Sequence, residues 1–146
     1  MIRKIQLCEV DDLRPLLEEF YIEQCTYKEP FHWDYIQSNL SKIVQSEEYI
    51  VLVDDEFTCF LMGHCSINAL LPIMEGYEDY VYVHPKKRGS ANFLRMMVQF
   101  EEWCIDKDIQ YINVGVGTGI MNDKVKELYT RFGYQEYYSG FKKEIS

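Results

Sequence analysis

A basic turn at residues 83–91 (VHPKKRGSA) contains the residue types that bind a phosphate or pyrophosphate group. Lys86, Lys87 and Arg88 supply positive charge, and Gly89 allows the backbone to bend tightly. A helix-like segment follows at once, and the N–H groups at a helix N-terminus attract anions. The alternative interpretation is a solvated surface turn that begins a helix, because short basic motifs often occur by chance.

A second segment, residues 122–134, combines a helical pattern with a candidate acid. Its apolar residues Val125, Leu128 and Phe132 lie on one helical stripe, which predicts a helix facing the core. Tyr129 lies at the edge of that stripe, so its ring can pack while its hydroxyl reaches a cleft. A phenol with an ordinary pKa of about 10 can donate a proton to a developing thiolate. The alternative is a core tyrosine without a chemical role.

In this order and separation, the two segments resemble the coenzyme A site of the GCN5-related N-acetyltransferase (GNAT) superfamily. In that family a strand ends at Val-x-Pro, a basic Arg-Gly turn cradles the pyrophosphate, and a later helix supplies an Asn and a Tyr. The matching residues here are Val83 with Pro85, Arg88 with Gly89, and Asn122 with Tyr129. The resemblance extends over the whole chain, is most specific over residues 77–134, and is to the small single-domain relatives of bacteria and tailed phages.

The resemblance implies acetyl-CoA as cofactor and a role for each matching residue. The groups that would hold the pyrophosphate are Arg88 and the backbone amides of Gly89, Ser90, Ala91, Asn92 and Phe93. Val81 and Val83 would orient the acetyl group, Asn122 would contact the pantetheine arm, and Tyr129 would protonate the departing thiolate. An ordinary buried strand would look the same at the two valines, and an Asn122 that only caps a helix would fit equally.

The chain departs from the family signature at two positions. The signature has Arg or Gln, two residues, Gly, one residue, then Gly or Ala. Here Ala91 replaces the glycine and Phe93 replaces the second small residue. The backbone N–H groups survive both changes, because only proline removes them. Each added side chain narrows the approach to a phosphate, so the alternative prediction is a GNAT-fold binding or structural module without catalysis.

A general base is also required, because an ammonium group with a pKa of about 10.4 must lose a proton before it attacks a thioester. Relatives often place a Glu on this strand, about where Tyr77 falls. We take the adjacent Glu78 as the candidate base, with Asp79, His64 and His84 as open alternatives. Carboxylates at the start of a strand are ordinarily solvated, and a lone histidine beside apolar residues is more often structural.

Other chemistries find less support in the sequence. Five cysteines are an odd number with no Cys-x-x-Cys pair, which indicates reduced thiols in a cytoplasmic protein. For Cys65 and Cys104 the default is a small buried hydrophobe rather than a nucleophile. The glycines of residues 115–119 lack the Gly-x-Gly-x-x-Gly spacing of a dinucleotide site. No His or Cys spacing predicts a metal site.

The predicted elements favour a mixed α/β (α+β) fold with a largely antiparallel sheet flanked by helices. Their order is β-α-α-β-β-β-α-β-α-β-β, which is also the order of the GNAT fold. The last two strands are predicted as a hairpin over residues 134–144, and Gly63 is a candidate bulge. The helix over residues 91–107 is predicted to bury a stripe formed by Leu94, Met97, Val98, Cys104 and Ile105.

Composition limits the classes of partner. At 146 residues the chain is expected to form one domain, residues 1–146. A net charge of −9 argues against non-specific nucleic-acid binding and favours cationic partners. No run approaches the roughly 20 apolar residues of a membrane span. The expected protein is a cytoplasmic acetyltransferase whose acceptor, a small-molecule amine or a protein lysine or N-terminal amine, attacks the thioester directly. A homodimer is left open.

Overall fold

The computed structural model describes residues 1–25, 27–115, 123–137 and 141–145. Its strands are β1 (Ile2–Lys4), β2 (Tyr49–Asp54), β3 (Cys59–Ile67), β4 (Met74–Val83) and β5 (Tyr111–Asn113). Its α-helices are α1 (Arg14–Gln24), α2 (Trp33–Gln45), α3 (Asn92–Asp106) and α4 (Asp123–Arg131), with 3-10 helices at Leu7–Leu13 and Pro85–Lys87. Within these ranges no helix has the length and apolar character needed to cross a membrane. The same ranges contain no group of three His, Cys, Asp or Glu side chains placed around a metal site.

The strands form one sheet in the order β1-β2-β3-β4-β5. The first four are antiparallel neighbours, whereas β5 runs parallel to β4 after a crossover through α3. Strand β5 pairs only with Glu75–Tyr77, so residues 78–83 of β4 have no β5 partner in the described part of the chain. The predicted mixed, largely antiparallel sheet flanked by helices is confirmed.

A β-bulge in β4 decides which face of the sheet its carboxylates occupy. Met62 of β3 pairs with Tyr80, but the next residue, Gly63, pairs with Glu78, which leaves Asp79 as the extra residue. The predicted bulge at Gly63 is therefore present at this pair, but on the neighbouring strand. Side chains alternate between faces, and a bulge shifts that alternation by one residue. Glu78 consequently lies on the opposite face to Tyr80, although residues two apart in a regular strand share a face.

Each face of the sheet supports its own hydrophobic core. The face covered by α3 and α4, which we call the α3/α4 face, buries mainly Leu61, Met96, Met97, Phe100, Trp103, Cys104 and Tyr129. The opposite α1/α2 face buries mainly Val10, Leu13, Leu16, Leu40, Val53, Phe60 and Tyr82. Gly63 allows α3 to approach closely, since a Cβ there would lie 2.6 Å from a ring carbon of Phe100. Strand β4 therefore packs against a core on each of its faces.

The buried stripe of α3 differs from the predicted one. Leu94, Val98 and Ile105 are exposed, whereas the buried residues are Met96, Met97, Phe100, Trp103 and Cys104. Two apolar stripes overlap on this helix, so spacing alone allowed both. The sheet selects the stripe that contains Phe100 and Cys104, because Gly63 on β3 leaves room for the Phe100 ring and Gly76 on β4 leaves room for the Cys104 sulfur.

The chain termini also differ from the sequence prediction. Residues 134–137 and 141–145 carry no strand, and the predicted turn at Ser139 and Gly140 lies outside the described residues. Side-chain contacts hold the first of these segments instead, because the Tyr134 hydroxyl donates to Glu101 at 2.8 Å. At the other end, the first helix is divided into a 3-10 helix and α1, with Pro15 in the first turn of α1, where a missing N–H costs nothing.

Candidate active site

A cleft of about 360 Å³ opens where β4 separates from β5. Its walls come from the end of β4, the basic turn, the starts of α3 and α4, and the C-terminal end of α1. The sequence-predicted residues that line it are Glu78, Val81, Val83, Arg88, Gly89, Ser90, Phe93 and Tyr129. Ala91 and Asn92 are not among the lining residues, and Asn122 lies outside the described part of the chain.

The basic turn presents the N-terminus of α3 to this cleft. Gly89 has a φ of +87°, in the left-handed region that favours glycine, and so the turn can reverse before the helix. Ala91 occupies the N-cap and has no side-chain acceptor for the first amides of α3. Ser90 makes only a long contact, at 3.4 Å, with the Asn92 N–H. Such amides, together with the helix dipole, favour an anion at this position.

Arg88 reaches across the cleft to α1. Its Nη2 donates to a Glu23 carboxylate oxygen, and its Nε donates to the Val83 carbonyl at 3.0 Å. Glu23 also accepts a bond from the Tyr82 hydroxyl at 2.6 Å. Burial opposes ionisation of Glu23, but the bonds from Tyr82 and Arg88 hold its pKa below the usual value. The predicted pyrophosphate-binding arginine is therefore already paired with a carboxylate.

Glu78 is the most buried ionisable group of the cleft, with 2% of its surface exposed. Burial raises its pKa to about 7, and the charge of Asp79 adds to this effect. The Gly115 N–H donates to its carboxylate at 2.8 Å and, with the Tyr129 hydroxyl, partly opposes the shift. The sequence predicts that this strand begins at Tyr77, but β4 begins at Met74, so Glu78 lies inside the strand, and the bulge turns its side chain into the protein. The expectation that an acid here is solvated is therefore wrong. A carboxylate with a pKa near neutrality can exchange protons in either direction.

Tyr129 lies directly beside Glu78. Its ring packs between those of Phe93 and Tyr134, with both centroids 5.8 Å away. Burial raises the pKa of Tyr129 far above 10, and the Glu78 carboxylate raises it further. The phenol consequently stays protonated and can act only as a proton donor. Tyr129 is the buried residue of α4 rather than the edge of its apolar stripe, and Phe93 turns its ring onto it.

The exposed edge of β4 completes the cleft. Val81 and Val83 are half-buried against the α3/α4 core, while Tyr80 and Tyr82 pack on the opposite core, as predicted. Because β5 ends its pairing at Tyr77, the backbone beyond it has no strand partner on this side in the described ranges. A linear ligand with amide groups could pair with that edge as a strand would.

The two histidines make polar contacts that fix loops and strands. His84 accepts from the Lys86 N–H at 3.1 Å, and its Nε2 lies 2.9 Å from a Glu19 oxygen. This links the basic turn to α1. The Nδ1 of His64 lies 2.6 Å from Asp79 Oδ2, within the bulge that borders the cleft. Neither histidine is a lining residue of the cleft.

Several cleft residues escaped the sequence prediction. Glu23 lies 65 positions before Arg88 in the chain, so no local pattern links the two. Gly115 begins the glycine-rich run whose spacing does not fit a dinucleotide site, and the sequence gives no other indication that its N–H contacts Glu78. Lys124, in the first turn of α4, adds a further cation to the lining, and its position just after Asn122 is a signal that a charge-based search would have found.

The three buried cysteines are poor candidates for a nucleophile. Burial raises the pKa of both Cys59 and Cys104 to about 12. Burial also raises the pKa of Cys65. Only a thiolate is a good nucleophile, so these buried thiols serve as small hydrophobic side chains, as predicted.

Comparison with known proteins places the fold. No family model matches the chain, and no curated protein matches it. Solved structures do match: a protein described as a probable acetyltransferase has a TM-score of 0.80 at 16% identity, over 100% of this chain and 98% of its own. A ribosomal-protein-alanine N-acetyltransferase from Brucella melitensis biovar Abortus 2308 has a TM-score of 0.72 at 15% identity, over 99% of both chains. A GNAT family acetyltransferase from Staphylococcus aureus subsp. aureus USA300_TCH1516 has a TM-score of 0.71 at 14% identity, over 99% of this chain and 98% of its own.

These likenesses show that the chain shares its fold with acetyltransferases, one of which is described as a member of the GNAT family. This is the fold that the two sequence segments indicated. At these identities the comparisons concern the fold alone.

Proposed function

We propose that the protein is an acetyl-CoA-dependent N-acetyltransferase. The observation that carries the proposal is the contact of Glu78 with Tyr129 at the point where β4 leaves β5. It joins a buried carboxylate with a pKa of about 7 to a phenol that stays protonated. One group can accept a proton and the other can donate one, as an acyl transfer from a thioester to an amine requires.

The surrounding cleft offers groups that would bind separate parts of the cofactor. The amides at the start of α3, with Lys87 and Arg88, would bind the pyrophosphate, and the free edge of β4 at Val81 and Val83 would pair with the pantetheine amides. Asn122 stays a predicted pantetheine contact. When bound, acetyl-CoA supplies an activated acyl thioester. The Phe93 ring packs on Tyr129, with the two ring centroids 5.8 Å apart.

The proton transfers balance within the pair. The amine forms the new C–N bond as the C–S bond breaks, Glu78 accepts the proton that the amine loses, and Tyr129 donates the proton that the thiolate gains. Burial is the largest cause of the raised Tyr129 pKa, and the Glu78 charge adds to it; protonation of Glu78 removes that added contribution, so donation from Tyr129 becomes easier at that moment. Glu78 can then return its proton to Tyr129, which restores both groups without a net change. The acceptor would be a small-molecule amine or a protein lysine or N-terminal amine.

One observation favours a second function, a GNAT-fold module that no longer catalyses. Arg88 is already paired with Glu23, so a pyrophosphate must compete with a carboxylate for it. If that competition fails, the cleft would bind no cofactor and the chain would act by contacts with another molecule.

Isothermal titration of acetyl-CoA separates the two functions. We expect micromolar binding that is lost in Arg88→Glu, because charge reversal repels the pyrophosphate. The matched control is Arg95→Glu, an exposed charge reversal on α3 outside the cleft lining, which should bind as the wild type does. Release of free thiol with a panel of amines then tests transfer. Absence of binding at millimolar acetyl-CoA contradicts the proposal and favours the non-catalytic module.

A further inference from the structure

The β4 bulge places two neighbouring carboxylates on opposite faces of the sheet, and both border the same cleft. Glu78 faces the basic turn and α4, where the proposed cofactor contacts lie. Asp79 also lines the cleft but belongs to the α1/α2 face, beside Tyr80. A cofactor held on one face leaves the other face as the approach for the acceptor. Asp79 therefore lies on the acceptor's side of the reaction centre.

Asp79 is held in a fixed orientation toward this approach. Its Oδ2 lies 2.6 Å from His64 Nδ1, and the imidazole stacks on the Tyr77 ring at 4.9 Å and 15°. The other side of the imidazole faces Tyr49, whose ring centroid is 5.5 Å away. The second carboxylate oxygen of Asp79, Oδ1, has no hydrogen-bond partner among the described residues, and 22% of the Asp79 side chain is exposed. One oxygen is thus anchored while the other is available to a ligand.

An ammonium group already rests on this face. The Lys142 Nζ lies 3.8 Å from the Tyr27 ring centroid, a cation–π contact. The charges of Asp79 and Lys142 and the hydroxyl of Tyr27 all act on Tyr80, which places these groups around one region. The face therefore combines a carboxylate with aromatic rings, a combination that suits alkylammonium groups.

We propose that Asp79 anchors a second cationic group of the acceptor, so that the preferred acceptors are diamines or amines with a further positive charge. The inference rests on the proposed acetyltransferase function. An ammonium paired with a carboxylate holds its proton more tightly and is a poorer nucleophile. The amine that pairs with Asp79 is consequently not the one that reacts. The reacting amine lies at the other end of the acceptor, next to Glu78, which removes its proton.

His64 is the positioning residue of this anchor. Its Nδ1 fixes the carboxylate of Asp79, and its ring is fixed by Tyr77 and Tyr49. An asparagine at position 64 can place an amide N–H close to the position of Nδ1, whereas a leucine has a similar size but no donor. Comparing His64→Asn with His64→Leu therefore distinguishes the effect of the hydrogen bond to Asp79 from the effect of side-chain packing.

A matched pair of probes tests the anchor directly. 1,4-Diaminobutane and butylamine have the same chain length and differ by one amine. Isothermal titration of each into the protein, with and without CoA, should give tighter binding of the diamine to the wild type. Asp79→Asn should weaken diamine binding about tenfold and leave butylamine unchanged, since one charge pair at a partly exposed site is lost. Glu75→Gln, on the same face of β4 but outside the cleft lining, should keep the preference.

The His64 variants and the transfer assay complete the test. His64→Asn should retain the diamine preference, and His64→Leu should lose most of it. Equal binding of the two amines by the wild type, or an unchanged preference in Asp79→Asn, overturns the inference. A preference that depends on Asp79, without any acetyl transfer, supports the anchor and contradicts the enzyme proposal. Transfer to butylamine and diaminobutane with equal kcat/KM contradicts the anchor and supports the enzyme.

Discussion

The α3/α4 face and the α1/α2 face of the sheet are assembled in different ways. On the α3/α4 face, most of the cleft residues come from one continuous segment, the end of β4 through the start of α3, with α4 closing the side. On the α1/α2 face, Glu23, His64 and Asp79 come from three separate elements. A continuous segment leaves a recognisable pattern in the sequence. A surface assembled from separate elements depends on strand register and helix packing, and so can vary while the fold stays the same.

Glu78 and Asp79 show the same contrast within two residues. Glu78 is almost wholly buried and has its pKa raised to about 7, whereas Asp79 is partly exposed and paired with His64. Burial suits a group that must take up and release a proton. Burial raises the pKa of Asp79 as well, but the hydrogen bond and charge of His64 oppose that shift. A fixed partner that favours the charged form suits a group that must attract a cation. Neighbouring carboxylates with different environments can take different roles.

The largest expected effect is that of Glu78→Gln, which tests whether Glu78 is the general base. We expect kcat to fall by about a thousandfold, because general base catalysis contributes roughly 10²–10⁴-fold. The affinity for acetyl-CoA should not change. For the wild type, kcat should rise between pH 6 and 8 with a midpoint near pH 7, as Glu78 loses its proton. Steady-state release of thiol measures both effects, with Glu75→Gln as control; an unchanged kcat in Glu78→Gln removes it from the mechanism.

The burial of Glu78 also predicts how stability depends on pH. Its folded pKa of about 7 exceeds the unfolded value of 4.5, so the unfolded chain releases this proton first. Stability from this group is therefore full below pH 4.5 and falls as the pH rises through about 7, by on the order of 3 kcal/mol. Glu78→Gln lacks this loss. Urea unfolding should show that the free energy of unfolding of the variant, relative to that of the wild type, is larger at pH 8 than at pH 4.5. If this difference between the two proteins is the same at both pH values, Glu78 has an ordinary pKa in the folded protein.

Tyr129→Phe sharpens the assignment of the proton donor. We expect kcat to fall about thirtyfold with little change in acetyl-CoA affinity, because water can replace part of a lost general acid. Tyr134→Phe is a matched control, since Tyr134 is a partly buried tyrosine of the same core and its ring contacts that of Tyr129. It removes a bond to Glu101 and should lower the melting temperature without a comparable loss of turnover. Equal losses of turnover in both variants would point to packing instead of proton donation.

The smallest expected effect concerns the pair between Arg88 and Glu23. Glu23→Gln removes the carboxylate that competes with a pyrophosphate, so acetyl-CoA should bind about threefold more tightly. Both side chains are more than a third exposed, and water therefore keeps this ion pair weak. Titration calorimetry measures the change, and Glu18→Gln, on an exposed ion pair of α1, is the control. Weaker binding in Glu23→Gln would show that Glu23 orients Arg88 for the cofactor.

Most of the fold could be predicted from local patterns. The β-branched run predicts a strand over residues 49–53, and the helix-spaced apolar residues predict a helix over residues 34–45. The structure has β2 at Tyr49–Asp54 and α2 at Trp33–Gln45, each within one residue of those limits. The buried stripe of α3 could not be predicted, because two stripes fit its spacing and only the tertiary structure shows that Phe100 packs against Gly63 and Cys104 against Gly76. The predicted closing hairpin is absent from the described residues 134–137 and 141–145. Alternating aromatic residues satisfy a strand pattern whether or not they pair with another strand.

The candidate site also combines features that the local sequence determines with features that only the tertiary structure decides. The chain itself determines that a basic turn with a glycine precedes α3 and that a tyrosine follows on α4, because charge, backbone freedom and helical spacing are local properties. The tertiary structure alone decides that Glu78 is buried next to Tyr129 and that Asp79 faces the other way. The physical reason is the bulge in β4, since one extra residue in the register exchanges the two faces of a strand. The closure of Glu23 on Arg88 is likewise a product of packing, because the two residues meet only once α1 lies across the sheet.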